Sequence, residues 1–274
     1  LAARYDGVIP TWEVTNELLF QCNDWSSAML AEPDYTAWCY ETANRFFPKS
    51  RLMINDASCN IWNVFNHSHS AYYMQIENLL MKGARIDAIG MQYHMFNRRE
   101  NEAKETAIYY NPRRMYDVMD YYARLGRPLQ ITELTIPAYS NDPEDEEIQA
   151  ELIKNVYSMW FSHEAMEGII YWNVVDGYAA FAPLGDMTAG ENYYYGGLVR
   201  YDFTPKPAYR MIKDLFGKVW RTNAEAVTRD NGRVDVKGFY GEYDVEIAAN
   251  GRTITVPMHL CKTGRRTLRV KLPD

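Results

Sequence analysis

Pro128-Leu129-Gln130-Ile131-Thr132-Glu133-Leu134-Thr135-Ile136 is a nearly continuous apolar run with β-branched residues, and residues 144–163 follow it with helical spacing. A run with no solvated face is what a parallel strand buried on both sides requires. The acidic stretch Asp142-Pro143-Glu144-Asp145-Glu146-Glu147 suits the positive end of a helix dipole. The unit to seek on either side is therefore one strand followed by one covering helix.

That unit recurs. Residues 8–15, 51–54, 86–91 and 168–175 are further strand-like runs. Helical spacing covers residues 35–47, ended by Pro48; 71–82, ended by Gly83; 113–125, ended by Gly126; and 207–216. Five such repeats predict an α/β fold with a parallel sheet over residues 1–217. Residues 218–274 read differently. The stretches 233–236, 243–247, 253–256 and 267–270 alternate apolar with polar, and Asp230-Asn231-Gly232, Asn250-Gly251 and Thr263-Gly264 punctuate them. This pattern predicts a small antiparallel β-sandwich as a second, accessory domain.

The 274 residues carry a net charge of −7, with acidic and basic side chains interspersed. Without a basic stripe the chain is a poor match for nucleic acid, and no apolar run reaches the roughly 20 residues of a membrane span. A neutral polymer is easier to accept as partner. Cys22, Cys39, Cys59 and Cys261 form no Cys-x-x-Cys pair, so neither a zinc site nor a disulfide scaffold is expected, and a single bridge stays open. His67-Ser68-His69 reads as a polar loop rather than a metal site. No metal or cofactor is predicted. The opening Leu1-Ala2-Ala3-Arg4-Tyr5-Asp6 is not a signal peptide and reads as the start of a processed or cut piece.

In parallel α/β folds function collects where strands end. The first strand ends in Asn16-Glu17, the second in Asn55-Asp56, the third in Gln92-Tyr93-His94. The fourth carries Thr132-Glu133, and the fifth carries Trp172-Asn173 and ends at Asp176, with Tyr178 just beyond. Polar groups delivered in register to one edge point to a site. Glu17 and Glu133, on different strands, suggest paired carboxylate chemistry of the kind that cleaves a glycosidic bond: one acid for the leaving oxygen, one carboxylate as nucleophile or base. Asn16, Gln92 and His94 are placed to orient them. The 22 tyrosines and 7 tryptophans fit a sugar-binding surface in part, although Trp12, Trp160, Tyr116, Tyr121 and Tyr122 read as packing, and Trp25 and Trp38 stay open.

These stretches resemble glycoside hydrolase family 10, the endo-β-1,4-xylanases. Trp12-Glu13-Val14-Thr15-Asn16-Glu17 is similar to the family's Trp-Asp-Val-Val-Asn-Glu strand, and Arg51-Leu52-Met53-Ile54-Asn55-Asp56 to its Lys-Leu-Tyr-x-Asn-Asp strand. Residues 86–94 resemble Ile-Asp-Gly-Ile-Gly-x-Gln-x-His, and Ile131-Thr132-Glu133-Leu134 matches Ile-Thr-Glu-Leu. Tyr171-Trp172-Asn173-Val174-Val175-Asp176 resembles Trp-Gly-Val-Thr-Asp, and Pro205-Lys206-Pro207-Ala208-Tyr209 matches the closing Pro-Lys-Pro-Ala-Tyr.

The resemblance implies a (β/α)8 barrel of which this chain holds strands four to eight, and a retaining endo-β-1,4-xylanase acting on xylan and xylo-oligosaccharides without a cofactor. It makes Glu17 the general acid/base and Glu133 the nucleophile. Asn16 would bind the sugar 2-hydroxyl, His94 would bond Glu133, and Gln92 would steady Glu17. Trp172 would wall the subsite, with Asn55, Asp56 and Tyr178 orienting or binding substrate. It also implies a secreted or cell-surface protein, and a missing N-terminal barrel segment upstream or on another chain. The alternatives are a non-catalytic xylan-binding fragment or a related β-1,4-glycanase. The family's Ser-Trp after the last strand is replaced here by Ala179-Ala180-Phe181, and residues 186–195, with Tyr193-Tyr194-Tyr195, form a longer segment that would line the cleft.

Overall fold

The computed structural model describes residues 1–21, 29–30, 32–261, 264 and 266–271, so Cys22, Trp25 and Thr263 lie outside the described residues. Two compact units divide the chain, Leu1–Ile212 and Lys213–Asp274.

The first unit is built on five parallel strands in chain order: β1 (Thr11–Thr15), β2 (Arg51–Ile54), β3 (Ala88–His94), β4 (Leu129–Thr135) and β5 (Met166–Tyr171). Helices Tyr35–Phe46, Ala71–Met81, Pro112–Ala123 and Pro143–Ser162 cover them. Burial follows position in the sheet. β3 is buried along almost its whole length, whereas β1 and β5, each with one strand neighbour, stay half open.

Local chemistry sets the helix ends. Asn111 caps its helix by accepting from Arg114 N at 3.1 Å, with Pro112 at the first turn. Pro143 opens the longest helix, followed by Glu144, Asp145 and Glu146 in its first turn. Much of the aromatic surplus is core. Tyr93 packs edge-on against Trp62 and Trp160, at ring distances of 5.1 and 4.9 Å, and the Trp62 indole donates to Gln92 O at 2.8 Å. Buried Tyr72 donates to the carbonyls of Ile54 and Gly90, tying the ends of β2 and β3 together.

Three register shifts fall near the C-terminal ends of the strands: between Glu13 and Thr15, between Met91 and Gln92, and between Ile131 and Leu134. Bulges of this kind re-aim side chains at an edge.

The second unit departs from the expected sandwich. Among its described residues two strands form, β6 (Gly241–Ala249) and β7 (Arg252–Leu260), an antiparallel ribbon closed by Asn250 and Gly251, both at positive φ as the tight hairpin turn demands. Residues 233–236 and 267–270 join no strand. Val234 and Val236 stay exposed, since among the described residues no second apolar sheet covers them. The last helix also ends early, at Pro207–Asp214, and continues as a wider π turn over Leu215–Val219. Cys39, Cys59 and Cys261 are free thiols.

Candidate active site

The chain leaves β1 through Asn16 and turns at Glu17, whose φ of 55° lies in the left-handed region. For a residue with a side chain this costs about 1–3 kcal/mol and persists only where neighbours enforce it. They do so here. Asn55 N donates to Thr15 O at 3.0 Å and Glu17 N donates to Asn55 O at 3.3 Å, so the end of β2 holds the turn.

Buried Asp56 completes the brace. Its carboxylate accepts from Leu19 N, Ala57 N and Asn60 Nδ2 at 3.3, 2.8 and 2.7 Å. Burial raises its pKa and these donors oppose the rise. Asp56 therefore ties the segment after Glu17, through Leu19 N, to its own segment after β2, through Ala57 N and Asn60 Nδ2.

The neighbouring Asn55 points the other way, into the site. Its Nδ2 donates to Asn16 Oδ1 at 2.9 Å and to Glu133 Oε1 at 3.3 Å, while its Oδ1 accepts from Thr132 Oγ1 at 2.7 Å. Gly90 leaves room for this: a Cβ there would stand 2.6 Å from Asn55 Oδ1 and 2.8 Å from Thr132 Cγ2.

Gln92, on β3, joins the two sides. Its Nε2 shares two protons among three acceptors, Glu17 Oε1 at 2.7 Å, Glu133 Oε1 at 3.1 Å and Asn16 Oδ1 at 3.1 Å. Glu133 meets His94 through its other oxygen, with Nε2 to Oε2 at 3.0 Å, and His94 Nδ1 faces Thr135 Oγ1 at 3.0 Å. An ionised carboxylate only accepts, so in the neutral ring Nε2 carries the proton and Nδ1 accepts from the threonine hydroxyl. The His94 ring stacks on Phe96 at 4.6 Å and meets Trp172 edge-on at 5.8 Å.

Asn16, Glu17, Asn55, Gln92, His94 and Glu133 thus form one hydrogen-bonded group from four strands, with Trp172 beside it. Tyr178 belongs elsewhere: its exposed ring stacks on Tyr201 at 5.5 Å and tilts against Phe203. Asp176 is likewise structural, paired at 3.2 Å with the fully buried Lys206, whose ammonium also donates to Tyr195 O.

Two further residues escaped the sequence reading. Glu13, on β1, hydrogen-bonds Asn55, and although the residue keeps an exposed edge, partial desolvation of its carboxyl, then the charges of Glu133 and Glu17, push its pKa from 4.5 up to about 7. The signal was an ionisable residue inside an apolar strand. Glu191 accepts from Trp172 Nε1 at 2.9 Å and from Asn173 Nδ2 at 2.8 Å on a single oxygen. Nothing in the local pattern of residues 190–194 announces that role. Among the described residues no group of three His, Cys, Asp or Glu is disposed to hold a metal ion. His67 lies in a short 3-10 turn, packed against Phe65 and Tyr121.

Comparison with known proteins gives this arrangement a family. The chain is 25% identical over 222 residues to endo-1,4-beta-xylanase B of Thermotoga neapolitana, covering 78% of this chain and 58% of that protein. It is 22% identical over 254 residues to the anti-sigma-I factor RsgI6 of Acetivibrio thermocellus, covering 91% of this chain and 28% of that protein. The crystal structure of native xylanase 10B from Thermotoga maritima superposes with a TM-score of 0.62 at 23% identity, over 80% of this chain and 63% of that one. The chain therefore spans less than two thirds of each of these relatives, and the structural likeness establishes a shared α/β fold. The sequence profile of glycosyl hydrolase family 10 matches residues 1–215, and on that match the chain belongs to glycosyl hydrolase family 10.

Proposed function

We propose that this chain supplies the carboxylate pair of a retaining endo-β-1,4-xylanase, residues 1–217 being strands four to eight of a (β/α)8 barrel that further β/α units complete. The observation that carries the reading is the single nitrogen of Gln92, bonded to Glu17 at 2.7 Å and to Glu133 at 3.1 Å. Two oxygens on one nitrogen lie less than about 6 Å apart, close to the roughly 5–5.5 Å of retaining enzymes and below the roughly 6.5–9.5 Å of inverting ones.

In the proposed reaction a Glu133 oxygen attacks the anomeric carbon as Glu17 gives its proton to the leaving glycosidic oxygen. The C–O bond to the leaving sugar breaks and an ester to Glu133 forms. Glu17, now a base, takes a proton from water, whose oxygen displaces Glu133 and releases the sugar. His94, Gln92 and Asn55 hold Glu133 for the attack, and Asn16 meets the sugar 2-hydroxyl. Xylan and xylo-oligosaccharides are the proposed substrates, and a location outside the cell or on its surface is proposed with them. Residues 218–274 are proposed as an accessory domain.

The test uses the intact protein and a 2-fluoro-xyloside with a good leaving group. Mass spectrometry should find one sugar esterified to Glu133, and no adduct after Glu133→Gln. Glu17→Ala should slow substrates with poor leaving groups by about 10²–10⁴-fold and spare activated ones. An adduct on another residue, or equal losses for both substrate types, would refute the assignment.

The likeness to a protein named as an anti-sigma factor, over 91% of this chain, favours a second reading, a xylan-binding domain without turnover. Binding of xylo-oligosaccharide with no released product would select it.

A further inference from the structure

We propose that Phe96, Tyr194, Tyr193 and Arg98 form a further sugar subsite that takes a uronic acid substituent, the carboxylate being held by Arg98. The inference rests on the glycan-binding reading above and adds the charge of the ligand.

The surface begins at the carboxylate pair and leads away from it. His94, which faces Glu133 at 3.0 Å, stacks on Phe96, and Phe96 meets Tyr194 at 5.0 Å. Tyr194 meets Tyr193 edge-on at 5.2 Å, and the Arg98 guanidinium lies over the Tyr193 ring at 4.4 Å. None of these rings is fully buried, so they offer faces to a ligand.

Three loops build this surface and are stitched to one another. Tyr194 O accepts from Ala138 N at 3.1 Å and Tyr139 N at 3.0 Å, linking residues 190–194 to the loop after β4. Tyr139 Oη donates to Asn97 O at 2.8 Å, linking that loop to the one that carries Phe96 and Arg98. Tyr139 and Tyr195 both hold positive φ. Strained loop residues fixed by long-range bonds are a mark of binding surfaces.

Arg98 differs from its neighbour. Arg99 is spent on a bidentate pair with Asp145, at 2.7 and 2.6 Å. Arg98 hydrogen-bonds the Tyr193 side chain and feels the charge of Glu100, but it has no ion-pair partner within 4.0 Å among the described residues. Glu191, on the segment that carries Tyr193 and Tyr194, is engaged by Trp172 and Asn173. A guanidinium stacked on an aromatic ring and hydrogen-bonded to the same side chain is pre-oriented, and with one bond spent about four of its five N–H donors remain for a carboxylate. Neutral sugar hydroxyls can accept single bonds from it, but a uronic acid carboxylate gains the stronger charge-assisted pair.

The experiment compares two ligands on the intact protein carrying Glu133→Gln to prevent turnover: a linear xylo-oligosaccharide, and the same oligosaccharide bearing one glucuronic acid. Calorimetry should show the acidic ligand bound about tenfold tighter at low salt, the order of one charge-assisted pair. The preference should shrink as salt rises. Arg98→Ala should abolish the preference, and Arg98→Lys should keep part of it, because charge without the planar fork remains. Equal affinity for the two ligands, or a preference that survives Arg98→Ala, would overturn the proposal. Failure of both ligands to bind would instead overturn the glycan-binding reading beneath it.

Discussion

Trp172 Nε1 donates to Glu191 Oε2 at 2.9 Å, so a half-exposed indole beside the carboxylate pair is anchored by a residue from a different loop. The same oxygen accepts Asn173 Nδ2 at 2.8 Å. With its nitrogen tied, the indole meets the His94 ring in a T-shaped contact, at an interplanar angle of 77°.

Glu191→Ala is therefore expected to free the Trp172 ring and weaken oligosaccharide binding about tenfold, the order of losing a hydrogen bond to a charged acceptor. Tryptophan emission should shift on the same substitution, and Glu191→Gln, which keeps an accepting oxygen, should restore most of the affinity. Unchanged affinity in the alanine variant would show that Trp172 is positioned by packing alone.

Gly90 is required by the space that Asn55 occupies. Gly90→Ala brings a Cβ to 2.6 Å from Asn55 Oδ1 and should destabilise the first unit by about 1–3 kcal/mol in denaturant titrations. The displaced Asn55 would lose its bonds to Asn16 and Glu133, so the carboxylate pair should suffer beyond the stability loss. A variant with parental stability would refute the steric account.

Glu13 makes stability depend on pH in a direction opposite to that of an ion-paired carboxylate. Folding raises its pKa from 4.5 to about 7, so between these values the folded chain binds more protons than the unfolded one. Its contribution is present below pH 4.5 and is lost as pH rises through about 7. Glu13→Gln removes the titration. The Tm of the variant should approach that of the parent in acid and exceed it at about pH 8, with the difference growing in between. A constant difference across this range would exclude Glu13 as its source.

The parallel strands were legible because burial on both faces leaves a signature no loop imitates. Residues 51–54 form β2 as predicted, and the strand ends at Asn16-Glu17, Gln92–His94 and Glu133 meet in one hydrogen-bonded group. Alternation in the second unit was a weaker guide. It marks strands only where a partner covers the apolar face, and residues 233–236 have none.

By itself, then, the sequence determined the repeated strand and helix, the edge at which polar groups gather, and the two glutamates among them. Only the tertiary structure decided which way each group faces. Asn55 and Asp56 are adjacent, yet one bonds Glu133 and the other ties down the segment after Glu17, because successive residues point to opposite sides and the register shifts reset that phase. Tyr178 joins Tyr201 rather than the carboxylates, and Glu191 reaches Trp172 from 19 positions away. Contacts between loops depend on where the strands carry them, and a pattern read along one chain segment holds no record of its neighbours across the sheet.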